Sequence, residues 1–450
     1  MEGIVNKRFW VTFFAVMLAL VIPAAALAQG PDDFVFGDPL PDAPELAPRG
    51  DFGVGVRTLE LVNPDQLDIL NVTEDNPEPL VDRALTVEVW YPAVIPEGED
   101  ALTSYEDMLG RSDLPDRPLI PYAFAGRALR DAEPLLADTP YPLVIVSHGY
   151  PGSRYMLTNL TENLASKGYI VAAIGHTEST FDNTGPVTSS LYHRPYDILF
   201  TLDQMAELGV ADGESFLAGL VDADNTALLG YSLGGYGVLN AAGAGVGPLA
   251  VAFVSGQTGS QAMAERQVGN VTPDPRIKCV IALAPWGMNV RMWTADGLAG
   301  IDVPVFIAAG SLDDVAGYEN GVVPVYEGLV NADRYLLTYA NARHNVAPNP
   351  PPPEAYAPGL DLNEWLRYDD SVWDERRINN INQHFLTAFL GLYLREDASY
   401  APYLDVIEVA SEGVYAVDET GQPQDDHTYW RGFLPRTAVG LTLEYRQAGE

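Results

Sequence analysis

The run Gly230-Tyr-Ser-Leu-Gly234 has the clearest chemical potential in the chain, because it places Ser232 inside a Gly-x-Ser-x-Gly motif. An apolar run precedes the motif and a helical pattern follows it, which is the context of a nucleophile elbow. A serine hydroxyl becomes an effective nucleophile when a base takes its proton and N–H donors stabilise the developing oxyanion. The motif therefore predicts an acid, a histidine and oxyanion donors elsewhere in the chain.

Candidates for the acid and the base lie downstream, each after a predicted strand. The strand predicted at 303–309 leads into Gly310-Ser-Leu-Asp313, which would project a carboxylate at the carboxyl edge of a parallel sheet. Asp313 is the predicted acid, and Asp314 is the alternative. His344 follows the strand predicted at 334–339 and is the predicted general base. The order serine, acid, histidine is that of the α/β-hydrolase fold.

The oxyanion donors are predicted from two backbone amides. One is the amide of Leu233, the residue after the nucleophile. The other is the amide of Tyr150, in the loop that follows the strand predicted at 141–147. The other histidines lie upstream of the serine, within helices or near the tail, and are predicted to be structural.

The elements around these residues alternate between strand and helix, a pattern that indicates βαβ units. We predict an α/β-hydrolase fold, with a mostly parallel doubly wound sheet, over residues 51–400. Residues 92–142 are predicted to be a weakly helical insertion before the core, residues 345–370 a Pro-rich loop, and residues 401–450 a C-terminal extension packed on the domain. The pattern leaves open whether the insertion and the loop cover the site. Further strands and helices are predicted at 54–62, 84–91, 155–167 (helix), 169–174, 194–208 (helix), 227–230, 277–284 and 374–394 (helix).

The first 28 residues are typical of a secretory signal peptide. Lys7 and Arg8 precede an apolar run, and Ala26-Leu-Ala28 forms a cleavage site of small residues. Cleavage after Ala28 would give a secreted or periplasmic protein with no stable membrane span, and an uncleaved anchor is the alternative. Residues 29–50, rich in Pro and Asp, are predicted to be an acidic tether.

Charge and composition exclude several classes of function. The formal net charge is −37, with 62 acidic residues against 25 basic ones. Such a chain is unsuited to binding nucleic acid or an anionic membrane surface. No calcium-loop motif is present, and we predict neither a metal site nor a cofactor. Cys279, the single cysteine, is predicted to be a buried apolar residue.

Several motifs are similar to those of a known group of enzymes. Over residues 84–395 the chain resembles secreted bacterial α/β-hydrolases of the dienelactone hydrolase and platelet-activating-factor acetylhydrolase type. The resemblance rests on Val89-Trp-Tyr-Pro-Ala, Ser147-His-Gly-Tyr-Pro-Gly-Ser-Arg, Leu164-Ala-Ser-Lys-Gly-Tyr, His193-Arg-Pro-Tyr-Asp197, Gly230-Tyr-Ser-Leu-Gly-Gly and Gly310-Ser-Leu-Asp. The turn Gly149-Tyr150 and the run Ala284-Pro-Trp286 look like those of cutinases and polyester hydrolases, which implies that Trp286 contacts substrate.

The motifs and the resemblance together predict a serine hydrolase that cleaves carboxylic esters through an acyl-enzyme. The expected partner is a small-molecule, lipid or polymer ester. Two alternatives remain open: a peptidase or amidase with the same triad, and a non-catalytic binding protein on a hydrolase fold.

Overall fold

The computed structural model describes residues 34–450, and in them a central sheet carries most of the fold. This sheet has 11 strands in the order β13-β12-β11-β10-β9-β7-β8-β2-β1-β5, with β6 paired to β2, while β3 and β4 form a separate hairpin. The strands are β1 (Gly53–Leu67), β2 (Leu80–Val94), β3 (Thr103–Leu109), β4 (Ile120–Gly126), β5 (Leu129–Arg130), β6 (Glu133–Pro134), β7 (Tyr141–Ser147), β8 (Ile170–Gly175), β9 (Val221–Tyr231), β10 (Ile277–Leu283), β11 (Val305–Gly310), β12 (Arg334–Tyr339) and β13 (Leu441–Arg446).

Strands β7 to β12 run parallel to one another, so their carboxyl ends lie at one edge of the sheet. The antiparallel strands β1, β2 and β13 flank this parallel centre. Central strands are buried on both faces, which is why they are nearly continuous apolar runs. In β9, Leu229 packs into one apolar core and Leu228 into the other. The predicted mostly parallel α/β-hydrolase sheet is confirmed.

Helices cover both faces of the sheet. The C-terminal helix α8 begins after Asp374, whose carboxylate caps the amides of Arg376 and Arg377. Its apolar face packs Phe385 and Phe389 against Phe306 of β11. The helices are α1 (Thr158–Ser166), α2 (Val187–Leu208), α3 (Leu233–Ala241), α4 (Pro248–Thr258), α5 (Ala295–Leu298), α6 (Val323–Gly328), α7 (Leu362–Leu366) and α8 (Glu375–Tyr393).

The N-terminal segment differs from the predicted tether. The predicted signal peptide and residues 29–33 lie outside the described residues. Residues 35–50 pack on the domain, where Asp38 is buried and forms ion pairs with Arg49 and Arg127. The Asn163 side chain donates to the Ala47 carbonyl, and Lys167 donates to the Leu46 carbonyl. The described part of this segment is therefore fixed, because buried polar groups bind its backbone.

Two other segments also differ from the sequence expectation. Residues 92–142 are not helical: β2 continues to Val94, and the remainder forms the β3–β4 hairpin and two short strands. The C-terminal extension does more than pack on the domain, because β13 pairs antiparallel with β12 and becomes an edge of the main sheet. The strand at 334–339 is therefore not the last one. Among the described residues, no helix has the length and apolar character needed to cross a membrane.

Candidate active site

Ser232 lies in the sharp turn between β9 and α3, with a backbone φ of 55° and ψ of −117°. Such a conformation costs a non-glycine residue about 1–3 kcal/mol. The motif glycines allow the chain to pass: a Cβ on Gly230 would lie 2.2 Å from the Gly234 carbonyl oxygen, and one on Gly234 would lie 1.9 Å from the Ser147 carbonyl oxygen. The Gly-x-Ser-x-Gly pattern is therefore a steric requirement of this turn.

His344 connects Ser232 to Asp313. Its Nε2 lies 2.8 Å from Ser232 Oγ, and its Nδ1 lies 2.8 Å from Asp313 Oδ2. A carboxylate at Nδ1 assigns the ring proton to that nitrogen and leaves Nε2 able to accept the serine proton. Burial would raise the pKa of Asp313, but its bonds to His344 and to the amides of Val315 and Ala316 hold that pKa below its ordinary value.

Asp314, the alternative acid, occupies a different environment. Its side chain is half exposed and forms a two-point ion pair with Arg343. Asp313, in contrast, is 5% exposed and faces His344. The geometry therefore brings Asp313, and not Asp314, together with Ser232 and His344.

Hydrogen bonds from buried side chains hold the loop after β7. Arg194 donates from Nη2 to the Gly149 carbonyl at 3.1 Å and from Nη1 to the His148 carbonyl. His148 Nε2 accepts from the His176 amide, so Nδ1 carries the proton and donates to the Gly149 carbonyl at 2.6 Å. Burial, together with the charge of Arg194, lowers the pKa of His148 well below its ordinary value and keeps the ring neutral.

These hydrogen bonds fix the direction of the Tyr150 N–H. The Gly149 carbonyl and the Tyr150 N–H belong to one trans peptide unit, so they face opposite directions. With the carbonyl held by Arg194, the N–H is directed away from the buried guanidinium. Neither the Tyr150 nor the Leu233 amide donates to an acceptor within residues 34–450. Both predicted oxyanion donors are therefore available, and Gly149 lies against Ser232.

A second serine makes the same set of contacts. Ser147 Oγ lies 2.9 Å from His176 Nε2, and His176 Nδ1 lies 2.9 Å from Asp197 Oδ2. Asp197 also forms a buried ion pair with Arg83 at 2.7 Å. Ser147, His176 and Asp197 are completely buried, and burial lowers the pKa of His176 to about 4. With no access for a substrate, this group is structural, and it supports the strand that carries the loop.

Ser232 opens into a cavity of about 390 Å³. Two segments outside the central sheet form its walls: the loop that joins β3 to β4, and helix α7 with the residues after it. The predicted insertion and Pro-rich loop thus both contribute to the site. Trp286 is not among the residues that line this cavity, although its amide donates to the Ser232 carbonyl at 3.0 Å. Its side chain is partly buried against one of the two apolar cores.

The arginines of this site were not predicted from the sequence. A helix is predicted over residues 194–208, whereas α2 begins at Val187 and Arg194 points from its interior to the loop carbonyls. Arg111, Arg117, Arg343 and Arg367 line the cavity, and no spacing in the sequence indicates this. The available signal for Arg194 was a basic residue inside a predicted helix of a very acidic chain.

Comparison with known proteins gives matches to esterases. Residues 125–191 match the family described as "Platelet-activating factor acetylhydrolase, isoform II". Cutinase est1 of Thermobifida alba is 27% identical over 213 residues, 47% of this chain and 56% of that protein. Cutinase 2 of Thermobifida cellulosilytica is 26% identical over 215 residues, 48% of this chain and 64% of that protein. A bis(hydroxyethyl) terephthalate hydrolase of Streptomyces coelicolor is 23% identical over 214 residues, 47% of this chain and 53% of that protein.

These alignments span little more than half of the length of the relatives, so the similarity applies to the aligned part of each protein. A solved structure extends the likeness to most of the chain: a ferulic acid esterase from Streptomyces cinnamoneus superposes with a TM-score of 0.52 at 20% identity, over 79% of this chain and 94% of that one. At this identity, the superposition establishes the fold. The chain is an α/β-hydrolase that resembles the platelet-activating-factor acetylhydrolases and the cutinases.

Proposed function

We propose that this protein is a serine hydrolase that cleaves carboxylic esters through an acyl-enzyme. The observation that carries the proposal is the chain of two 2.8 Å contacts from Ser232 Oγ through His344 to Asp313 Oδ2, with Ser232 open to a cavity. The related proteins named above support an ester substrate over an amide, since each is named for ester cleavage.

The reaction follows from the positions of these groups. Ser232 Oγ attacks the ester carbonyl carbon while His344 Nε2 takes the hydroxyl proton, and Asp313 holds the imidazolium that forms. The Tyr150 and Leu233 amides donate to the oxyanion of the tetrahedral intermediate. His344 then protonates the departing alcohol. Water attacks the acyl-enzyme with His344 again as base, which releases the acid and restores Ser232.

Turnover of p-nitrophenyl acetate and p-nitrophenyl butyrate tests this proposal. The wild-type protein should hydrolyse both, and Ser232→Ala should lower kcat by on the order of 10⁵ to 10⁶. Ser147→Ala is the matched control, because Ser147 also contacts a histidine that contacts an aspartate, here His176 and Asp197, but is buried. A folded wild-type protein without turnover, or equal turnover by Ser232→Ala, would refute the proposal. The corresponding p-nitroanilide measures any amidase activity.

We also propose that the protein is exported, on the basis of the sequence of residues 1–28. The full chain, expressed in a bacterium with a working secretory pathway, should appear outside the cytoplasm with Gln29 as its first residue. N-terminal sequencing checks this. A protein that keeps Met1 and stays in the cytoplasm or the inner membrane would contradict it.

A further inference from the structure

Four arginines line the cavity above Ser232: Arg111, Arg117, Arg343 and Arg367. The whole chain has only 25 basic residues against 62 acidic ones, so this density of guanidinium groups is exceptional for it. The four come from three separate parts of the chain, the β3–β4 loop, the approach to His344 and the end of α7. Folding alone brings them to the mouth of the site.

Arg367 has donors to spare. Its side chain is 12% exposed, and its guanidinium lies 4.3 Å over the ring of Phe181. Nη1 approaches the Gly110 carbonyl at 3.3 Å and Glu364 at 3.5 Å, and the other side-chain N–H groups have no acceptor in the described part of the chain. A largely buried cation with unused donors beside a cavity is a group that an anion would satisfy.

Two of these arginines outnumber the carboxylate that pairs with them. Arg117 and Arg367 share one carboxylate, that of Glu364, which lies 2.6 Å from Arg117 Nη2. These three groups carry one net positive charge. Asp369 is the lining carboxylate without an arginine partner; burial and the nearby Asp370 raise its pKa, and it accepts from an indole N–H at 2.9 Å.

The other two arginines lie nearer the solvent, each in its own ion pair. Arg111 binds Asp113 through two contacts of 2.9 and 2.7 Å, and Arg343 binds Asp314. Each pair is neutral as a unit, and both guanidinium groups line the cavity together with Asp314, whereas Asp113 does not line it. A carboxylate outside the cavity lining, as Asp113 is for Arg111, fixes the orientation of the arginine without using the face turned to the cavity.

We propose that the cavity takes esters that carry a carboxylate near the scissile bond, and that Arg367 and Arg117 bind this group. This inference rests on the proposed ester hydrolysis at Ser232. General electrostatics would produce the opposite preference, because a chain with a net charge of −37 repels anions and attracts cations. Preference for an anionic ester therefore needs local cations, and the cavity wall supplies them.

Three p-nitrophenyl esters of similar length separate these cases: those of adipic, heptanoic and aminocaproic acid, which end in a carboxylate, a methyl group and an ammonium group. At neutral pH the adipate half-ester should have a kcat/KM roughly 10- to 100-fold above that of the heptanoate, the range of a charge-assisted hydrogen bond. The aminocaproate should be the poorest substrate. Added salt should reduce the anionic preference.

Arg367→Gln should bring the adipate-to-heptanoate ratio toward one. Arg395→Gln is the matched control, because Arg395 also lies over a ring, that of Tyr169 at 4.1 Å, and binds backbone carbonyls, but lines a different cavity. It should keep the wild-type ratio. If Arg367→Gln does not fold, Arg343→Gln is tested instead. Arg343 is partly exposed, and its replacement leaves the negative charge of Asp314 unpaired at the cavity mouth, which should also lower the ratio.

The outcomes distinguish this inference from the proposed function. Turnover of all three esters with the heptanoate or the aminocaproate preferred would overturn the anionic specificity and leave ester hydrolysis intact. An unchanged ratio in a folded Arg367→Gln protein, or in Arg343→Gln if Arg367→Gln does not fold, would also overturn it. Failure of the folded wild-type protein to hydrolyse any of the three would overturn both. An anionic preference that is lost in the cavity variant and kept in Arg395→Gln would establish the site.

Discussion

Replacement of Arg194 by lysine should impair catalysis, although Arg194 does not line the substrate cavity. The guanidinium holds the Gly149 and His148 carbonyls at once, and these bonds direct the Tyr150 N–H away from it, where the proposed mechanism uses that N–H as an oxyanion donor. A lysine has a single amine nitrogen, which cannot donate to both carbonyls with the geometry of the planar guanidinium. The Gly149–Tyr150 peptide unit would then lose half of what fixes its plane, with His148 as the remaining donor.

The expected magnitude follows from the role of that N–H group. Loss of one oxyanion donor lowers kcat by about 10² to 10³ in serine hydrolases. Arg194→Lys should approach the lower end of this range, because His148 still restrains the loop. KM should change little, since the ground-state carbonyl depends less on this donor than the oxyanion does. Two lost hydrogen bonds should lower the free energy of unfolding by about 2–3 kcal/mol.

The assay is p-nitrophenyl butyrate hydrolysis, with urea unfolding of each variant alongside. Arg83→Lys is the control: Arg83 belongs to the same buried network, where it binds Asp197 at 2.7 Å and the Thr177 carbonyl at 2.9 Å, but it does not contact the loop carbonyls. Arg83→Lys should lower the free energy of unfolding by a similar amount and leave kcat nearly unchanged. A folded Arg194→Lys protein with wild-type kcat, or equal losses of kcat in both variants, would refute the role assigned to Arg194.

Three further outcomes are expected. Asp313→Asn should lower kcat toward p-nitrophenyl butyrate by about 10³ to 10⁴, while Asp314→Asn should cost only a few-fold; the reverse order would contradict the geometry. Gly234→Ala should fail to give a cooperative thermal transition, because the new Cβ would lie 1.9 Å from the Ser147 carbonyl oxygen, and a wild-type melting curve would disprove this. Burial raises the pKa of Asp107 to about 6. Since the ordinary value is about 3.9, the folded state binds more protons than the unfolded state between these pH values, and this group's contribution to stability falls as pH rises through them, by up to about 3 kcal/mol. Urea titrations of wild type and Asp107→Asn between pH 4 and 7 should differ by this slope, and parallel curves would contradict it.

The parts of the site that sequence predicts are those with local causes. The elbow is encoded within five residues, because the turn at Ser232 cannot form unless Gly230 and Gly234 lack a Cβ. Asp313 and His344 follow buried strands, and the parallel arrangement brings the ends of such strands to one edge. Apolar runs of this kind are also the strongest signal for the strands themselves, so the core of the sheet was predictable.

The remaining parts depend on contacts between distant residues. Residues 35–50 have the composition of a tether, yet the buried pairs of Asp38 with Arg49 and Arg127 fix them, and no local pattern encodes the second partner. Strand β13 is short, and it is defined by pairing with β12 about a hundred residues earlier. Arg367 reaches the cavity only because α7 docks on the β3–β4 loop through Glu364.

The most direct test of the central claim is to map where a fluorophosphonate probe reacts, by mass spectrometry of peptides from the labelled protein. Among residues 34–450, two serines contact a histidine that in turn contacts an aspartate; of these two, Ser232 lines a cavity and Ser147 is buried. The proposed mechanism predicts one adduct per chain, on Ser232, and none on Ser147. No adduct on the folded protein, or an adduct on a different residue, would contradict it.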